Sequence, residues 1–477
     1  MLILVNPPNP PGKVSNKDMM GGLGQLYEEG APKIPPIDIP YTAACLKQKN
    51  IPVEVIDCLG LDYDSDALIL SLKKKLVDNE KISIALRTSL PTYCHDMEVA
   101  RNIKQQTNAQ LVFFGPQVSL YPKETIEKNF IDVVIIGEPE FIFVDIFLKG
   151  LKETRGIWFK DESGQIIRNA AGRKIEDLNQ LPIPLWELMP YKQYILPEPQ
   201  FPNIKSFLPI LTSRGCPFNC GYCPYPLIQG CKWRTRSVEK VIEELKYIVN
   251  NLGITNVLFR DPEFTLDKKR TAKLCQEIIR EKLVFFWRCE TRIDTLDEEL
   301  IEKMAEAGCR GLNLGVESIS PKTLKRMGRS SFNQQHSETI IDCCRKKGIN
   351  TFCFFIIGLP GEDKKDILKT IKFAQKLDPS QVQFTFAIPY PQTPLRKWAQ
   401  DNNFIEDEDL NHYTGYIPVM RNEHLTVKQL KRIHNFANKW VGLRKSQKKQ
   451  RIRKFGFIQA VKELLKEVLF WFKQWFV

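Results

Sequence analysis

Hydrophobic residues gather in short runs along this chain, and the stretches between the runs carry apolar positions every three or four residues. In the first third the runs fall at 2–5, 53–56, 82–86, 111–114 and 133–136, and helical spacing falls at 41–49, 66–77 and 96–105. Strands alternating with helices predict a parallel, doubly wound sheet whose ligand edge is its row of strand C-termini. Turn formers stand at that edge: Asn6-Pro7-Pro8, Thr88-Ser89-Leu90, Gly115-Pro116 and Gly137-Glu138-Pro139-Glu140.

Residues 151–205 read as a connector. A hairpin is predicted at 157–160 and 165–168, and a proline-rich run follows it. A second alternating block comes next. Runs at 207–211, 256–259, 284–288, 311–315, 351–356 and 382–387 predict six strands, with helices around 237–250, 268–281, 297–307, 334–347 and 363–376. Six strand–helix units suit a partial parallel barrel with its site at the strand C-termini. The predicted chain is α/β: a doubly wound sheet over 1–150, a connector over 151–205, a partial (β/α)6 barrel over 206–400, a helical extension over 401–443 and a C-terminal tail over 444–477.

Composition narrows the partners. The 477 residues are 43% hydrophobic and 26% charged, a globular balance that excludes disorder, collagen and coiled coil for the whole. The net charge of +13 is unevenly placed: residues 428–454 hold eleven Lys or Arg and no Asp or Glu. The last fifty residues carry +12 and the first 427 only +1, so nucleic acid is disfavoured as a partner of the body. At 455–477 apolar residues share one helical face and Trp and Phe crowd the end. A cationic stretch before such a helix predicts peripheral membrane contact; packing on the chain's own body, and RNA binding through 444–454, are the alternatives. The apolar run at 1–5 is too short for a secretory signal, and thirteen cysteines then point to a cytoplasmic protein, at the inner face of the membrane where the tail anchors it.

The chemistry lies where the second block's first strand ends. Cys216, Cys220 and Cys223 follow Cys-x3-Cys-x2-Cys spacing, with Tyr222 before the third. Thiolates suit zinc or iron–sulfur clusters. A structural zinc site uses two ligand pairs, and no second pair is present in the sequence. Three thiolates leave one iron of a [4Fe–4S] cubane open to an outside ligand. Cys231 reads as a buried thiol or a fourth ligand. Other strand ends carry Arg260-Asp261-Pro262-Glu263, Arg288-Cys289-Glu290-Thr291-Arg292, Val316-Glu317-Ser318 and Gly358-Leu359-Pro360-Gly361-Glu362.

These motifs, in this order over residues 205–400, resemble the radical SAM superfamily. The resemblance implies that Cys216, Cys220 and Cys223 hold a [4Fe–4S] cluster whose open iron binds S-adenosylmethionine, cleaved to a 5′-deoxyadenosyl radical. It places Tyr222 near the adenine, Asp261 and Glu263 at the methionine amino group, Arg292 at the carboxylate, Glu317 with Ser318 at the ribose, and Gly358 against the nucleoside. Residues 1–150 resemble the cobalamin-binding domain that precedes many radical SAM barrels, through Asn6, Pro7, Gly115, Gly137 and Glu138, with Thr88, Ser89 and Leu90 under the corrin. The Asp-x-His-x-x-Gly motif that supplies a cobalt ligand in some such domains is missing from the sequence, and His95 is the only histidine before His336.

The resemblance implies a cobalamin-dependent radical SAM enzyme, a methyltransferase acting on a carbon of a lipid-linked or other small molecule, with a flavodoxin or ferredoxin as electron donor. Cyclisation or rearrangement without methylation, an RNA-modifying methylthiotransferase and a non-catalytic sensor are the alternatives. Cys45, Cys58 and Cys94 are too scattered for the second cluster that a methylthiotransferase requires.

Overall fold

The computed structural model describes residues 1–76, 82–197, 201–329 and 332–441. The strands in chain order are β1 Leu2–Asn6, β2 Lys13–Asn16, β3 Gln25–Glu28, β4 Val53–Asp57, β5 Ser83–Arg87, β6 Gln110–Phe114, β7 Val133–Ile135, β8 Ile157–Lys160 and β9 Ile166–Arg168. They continue with β10 Phe207–Ile210, β11 Ser213–Arg214, β12 Arg234–Thr235, β13 Asn256–Phe259, β14 Phe286–Arg292, β15 Cys309–Glu317, β16 Asn350–Ile357 and β17 Gln381–Phe386.

The first sheet has the order β4-β1-β5-β6-β7-β8-β9, parallel up to β7. Leu2, Ile3, Leu4 and Val5 are all fully buried because helices cover both faces, as a parallel sheet requires. Strand order reverses between β1 and β5, the switch point at which open α/β sheets bind ligands. The second sheet, β10-β13-β14-β15-β16-β17, is all parallel and forms a six-stranded open barrel. Its helices start where the sequence supplies a cap: Ser237, Asp267, Asp297, Asn333, Asp363 and Thr393 each accept a backbone N–H three residues on. Each such cap stabilises by about 1 kcal/mol.

Three details depart from the sequence reading. The hairpin β2–β3 was not expected; its glycine-flanked, polar-rich strands give little hydrophobic alternation, yet Val14 packs with Phe207 and Leu258 of the barrel. The hairpin β8–β9 pairs with β7 and extends the first sheet to residue 168, so the connector proper begins later than residue 151. Its described residues pack on the body: Trp186 and Tyr194 are fully buried, and the Leu185 N–H donates to the Pro40 carbonyl (3.1 Å). β14 begins at Phe286 and runs through charged residues to Arg292, while Val284 is 81% exposed in the preceding turn. Barrel strands end in polar residues because those ends face the site, which hides the true strand length from a hydrophobic pattern.

The extension after the barrel is helical over Pro394–Asp401 and Val427–Val441, and residues between them run as turns rich in Asn and Asp. The amphipathic helix predicted at 455–477, and the whole tail 444–477, lie outside the described residues. Among the described residues no helix is long and apolar enough to cross a membrane.

Candidate active site

The three cysteines sit on one loop with a closed neck. β11 and β12 pair antiparallel, Ser213 with Thr235 and Arg214 with Arg234, and residues 215–233 loop out between them. Gly215 makes the turn at φ +84°; a Cβ there would lie 2.2 Å from the Lys232 carbonyl oxygen, so only glycine fits. The Cys216 N–H donates to the Gly230 carbonyl (3.0 Å). Gly221, between the second and third cysteines, donates its N–H to Met327 (2.8 Å) and accepts one from Leu395 (2.9 Å). The loop is thus fixed to two later segments of the barrel.

Cys216 and Cys220 are buried, and Cys223 is half-buried. Burial pushes the Cys216 thiol up to about 11 and raises Cys223 further. Such thiols ionise by exchanging protons for a metal, so the donor set fits a thiolate-held cluster. Among the described residues no three His, Cys, Asp or Glu converge as a single metal ion requires; in a cubane each thiolate holds a different iron. Cys231 is exposed.

The rim above the loop is a set of charged groups. Glu317 ends β15 after an irregularity in its pairing with β16 and holds φ +69°, a strained backbone for glutamate. Burial raises its carboxyl even though the Arg329 guanidinium lies 3.6 Å away. Arg329 also donates to the Tyr222 hydroxyl (3.3 Å) and the Gly315 carbonyl (2.8 Å). It therefore joins the cysteine loop to the end of β15. The Arg292 guanidinium sits 4.0 Å over the ring of Phe218, a residue between the first two cysteines in sequence, and donates to Asp294 (2.8 and 2.5 Å).

Asp261 and Glu263 have their carboxylates turned to the barrel itself. Asp261 accepts from the Thr212 and Ser213 hydroxyls (2.8 and 2.5 Å), and Glu263 from the Arg292 N–H (2.9 Å) and the Thr295 hydroxyl (2.9 Å). Burial raises both. Each anchors the strand segment beside it, Asp261 the approach to Cys216 and Glu263 the end of β14.

Ser318 donates to Glu362 (3.2 Å), which also accepts the N–H groups of Gly358 (2.9 Å) and Leu359 (3.3 Å). Burial pushes the Glu362 carboxyl up to about 8. Gly358 has φ +89°, and a Cβ would lie 3.1 Å from Leu430 of the C-terminal helix. Arg329 and Glu362 escaped the sequence reading. Glu362 closes the Gly-Leu-Pro-Gly-Glu run, a signal that was available; Arg329 follows a short helix and carries none.

The edge of the first sheet is built differently. At its switch point the Asn6 amide donates to Asp57 (2.8 Å), which also accepts from the Tyr194 hydroxyl. Pro7 is buried beside Asn6. Thr88, Ser89 and Leu90 are fully buried beneath residues 17–24: the Leu90 N–H donates to the Leu23 carbonyl (2.7 Å), and a Cβ on Gly24 would meet the Ser89 side chain at 2.7 Å. Thr88 and Thr92 both donate to Asp96 (2.7 Å), which pairs with buried Lys17 (3.2 Å). Arg87 pairs with Asp18 (3.0 Å) and Asp38 (3.1 Å); burial and Asp38 push Asp18 up to about 6. Gly115 has φ +118° and brings its Cα against the Thr88 carbonyl.

Further along the edge Gly137 is exposed, with nothing within 4 Å of the position a Cβ would take, and the buried Gln117 Oε1 has no hydrogen-bond partner. An open strand end at Gly137 and an unpaired amide acceptor on the same sheet edge fit a ligand rimmed with amide donors, as a corrin is. Glu138 points the other way and binds Arg234 (2.7 and 3.0 Å).

The two units meet at the cysteine loop. Gly21 lies against the Tyr225 ring, two residues after Cys223, and the Gln392 amide donates to the Leu120 carbonyl (3.1 Å). The Arg260 guanidinium donates to the Asp18 carbonyl (3.0 Å), and Tyr41 binds Glu244 (2.8 and 3.0 Å).

Comparison with known proteins agrees with this architecture. The model of the radical SAM superfamily matches residues 210–374. An uncharacterized methyltransferase of Pyrococcus horikoshii is 33% identical over 431 residues, covering 89% of each chain. The anaerobic magnesium-protoporphyrin IX monomethyl ester cyclase of Cereibacter sphaeroides is 26% identical over 85% of this chain and 67% of its own. Among solved structures, the methyltransferase TsrM from Kitasatospora setae, with cobalamin and a [4Fe-4S] cluster bound, superposes with a TM-score of 0.66 at 20% identity, covering 91% of this chain and 84% of its own. OxsB, with aqua-cobalamin and S-adenosylmethionine bound, superposes at 0.69 and 17% identity over 98% and 70% of the two chains. These two establish a shared fold. With a cysteine loop over a six-stranded open barrel, a switch-point sheet ahead of it and a relative matched along nearly its whole length, the chain is an enzyme of the radical SAM superfamily and belongs to the branch that carries a B12-binding-type domain before the barrel.

Proposed function

We propose that this enzyme transfers a methyl group to an unreactive carbon of a small molecule, using a [4Fe–4S] cluster, S-adenosylmethionine and cobalamin. The observation that carries the reading is the meeting of the two strand-end edges at the cysteine loop, Gly21 against Tyr225. When bound, the cluster supplies the electron that cleaves S-adenosylmethionine, and the corrin supplies the methyl group.

The residues of this chain have distinct parts. Cys216, Cys220 and Cys223 hold the cluster. Arg329 orients Tyr222 and Glu317, so that Glu317 can accept the ribose hydroxyls. Glu362 fixes the turn at Gly358 and Leu359, against which a nucleoside would lie, and Arg292 takes the amino-acid carboxylate. Asp261 and Glu263 hold their strand ends in register. Leu90, sealed under residues 17–24, offers no side-chain ligand to cobalt, and Asn6, Pro7, Gly115 and Gly137 frame the corrin edge, while Glu138 is turned away from it onto Arg234.

The acceptor is a small molecule, lipid-linked where the basic tail meets a membrane, and a flavodoxin or ferredoxin delivers the electron. A relative named tryptophan 2-C-methyltransferase supports methylation at carbon, and one named cytidylyl-2-hydroxyethylphosphonate methyltransferase supports methyl transfer to a small molecule. The test is anaerobic reconstitution with iron, sulfide and cobalamin, then dithionite and methyl-labelled S-adenosylmethionine. Methylcobalamin and 5′-deoxyadenosine are expected. 5′-Deoxyadenosine with no labelled corrin would transfer the reading to the cyclase-like reaction, and neither product would overturn it.

A further inference from the structure

Glu138 and Glu140 lie at the edge of the first sheet, yet both carboxylates reach into the barrel unit and close on the neck of the cysteine loop. Glu138 takes both terminal nitrogens of Arg234 (2.7 and 3.0 Å) and stands 3.5 Å from Arg214. It also accepts the Ile175 N–H (2.6 Å). Glu140, fully buried, pairs with Arg214, and its other oxygen has no partner. Arg214 and Arg234 are a cross-strand pair of β11 and β12, the ladder that closes the loop of residues 215–233. Arg214 is two residues from Cys216. The connector adds Lys174, which donates to the Ile228 carbonyl (3.1 Å) inside the same loop.

The arrangement has a consequence for the cluster. Two arginines 7% and 4% exposed cannot stay charged without anionic partners. Their partners come from the other unit. Removing one carboxylate leaves a buried positive charge at the base of the loop and frees the neck. A positive charge near an iron–sulfur cluster stabilises its reduced form, because net charge is one of the terms that set its potential.

We propose that Glu138 and Glu140 are positioning residues of the iron–sulfur loop, through which the first domain fixes both the seat of the cluster and the charge around it. The inference rests on the assignment of the cluster to Cys216, Cys220 and Cys223. That assignment is read first, from the iron content and electron paramagnetic resonance of the reconstituted wild type; absence of a cluster there would fail the site, and the inference with it.

The deciding experiment is a charge cycle on the reconstituted full-length protein, read by redox titration of the cluster. Glu140→Gln shifts the midpoint to more positive potential, so that about threefold more cluster is reduced at a fixed solution potential, and the spectrum of the reduced cluster broadens. Adding Arg214→Gln removes the stranded charge, and the midpoint returns toward that of the wild type. A merely structural role predicts a double variant no better than the single one. If Glu140→Gln does not fold, Glu138→Gln, whose carboxylate is partly at the surface, reads the same shift through Arg234, with Arg234→Gln as its compensating partner. Wild-type midpoints and linewidths in the folded single variants, or a double variant shifted further than either single one, would overturn the proposal.

Discussion

The two strand-end edges of this molecule, one on each sheet, solve opposite problems. At the barrel edge charged groups gather around the cysteine loop. Glu317 has Arg329, Arg292 has Asp294 and the Phe218 ring, and burial holds the Cys216 thiol protonated until a metal takes it. At the first edge nearly every polar group near the switch point is spent internally, Lys17 on Asp96, Arg87 on Asp18 and Asp38, Asn6 on Asp57. The barrel edge keeps capacity for small, charged ligands. The first edge offers a sealed, pre-neutralised platform with an opening at exposed Gly137, suited to a large ligand that contributes its own hydrogen-bonding groups. Buried, satisfied networks rigidify a platform; a strained backbone such as that of Glu317 marks chemistry.

The contrast can be broken most severely at the loop. Cys220→Ala is expected to abolish 5′-deoxyadenosine formation, by at least a hundredfold, with iron content falling in parallel and the thermal midpoint of the apoprotein nearly unchanged. Gly215→Ala tests the loop's geometry. A Cβ 2.2 Å from a carbonyl at positive φ should cost about 3 kcal/mol, visible as a lowered denaturation midpoint in the apoprotein. Arg329→Ala removes the tie between Tyr222 and Glu317, and a rise of about tenfold in KM for S-adenosylmethionine is expected, with cluster content intact. A change in kcat alone would place Arg329 outside the nucleoside site.

The smallest effect is the most informative about burial. Asp18 and Glu362 are both acids raised by burial, to about 6 and about 8. Each is protonated more readily in the folded than in the unfolded chain, so each loses stability as pH rises toward its folded value. Between pH 6 and 8 only Glu362 of the two still titrates. Apoprotein stability should fall across that window by about 1 kcal/mol per pH unit from this group, and Glu362→Gln should flatten the fall, whereas Asp18→Asn should leave it in place. An unaltered slope in Glu362→Gln would remove this buried carboxyl from the account.

Much of the barrel was legible because its constraints are local. Cysteine spacing, helix caps and the alternation of strands and helices all lie within a few residues of one another. What was hidden depends on chain segments far apart. Arg329 acquires its meaning from Tyr222, 107 residues earlier. Glu138 belongs by sequence to the first sheet's ligand edge, and only the fold turns its carboxylate onto Arg234, 96 residues away. The hairpin β2–β3 was missed because it is stabilised by packing on the barrel and not by its own alternation. The end of β14 was cut short because its last three residues, Glu290, Thr291 and Arg292, are polar for reasons of function.

The central claim is one catalyst made of a cluster-bearing barrel and a corrin-bearing sheet. It is tested most directly by the spectrum of the anaerobically reconstituted full-length protein, reduced with dithionite, before and after S-adenosylmethionine. The account predicts one [4Fe–4S] cluster and one tightly bound corrin per chain, and a cluster signal that shifts when S-adenosylmethionine occupies the open iron. A cluster signal indifferent to S-adenosylmethionine, or a protein that passes a desalting column without its corrin, would contradict it.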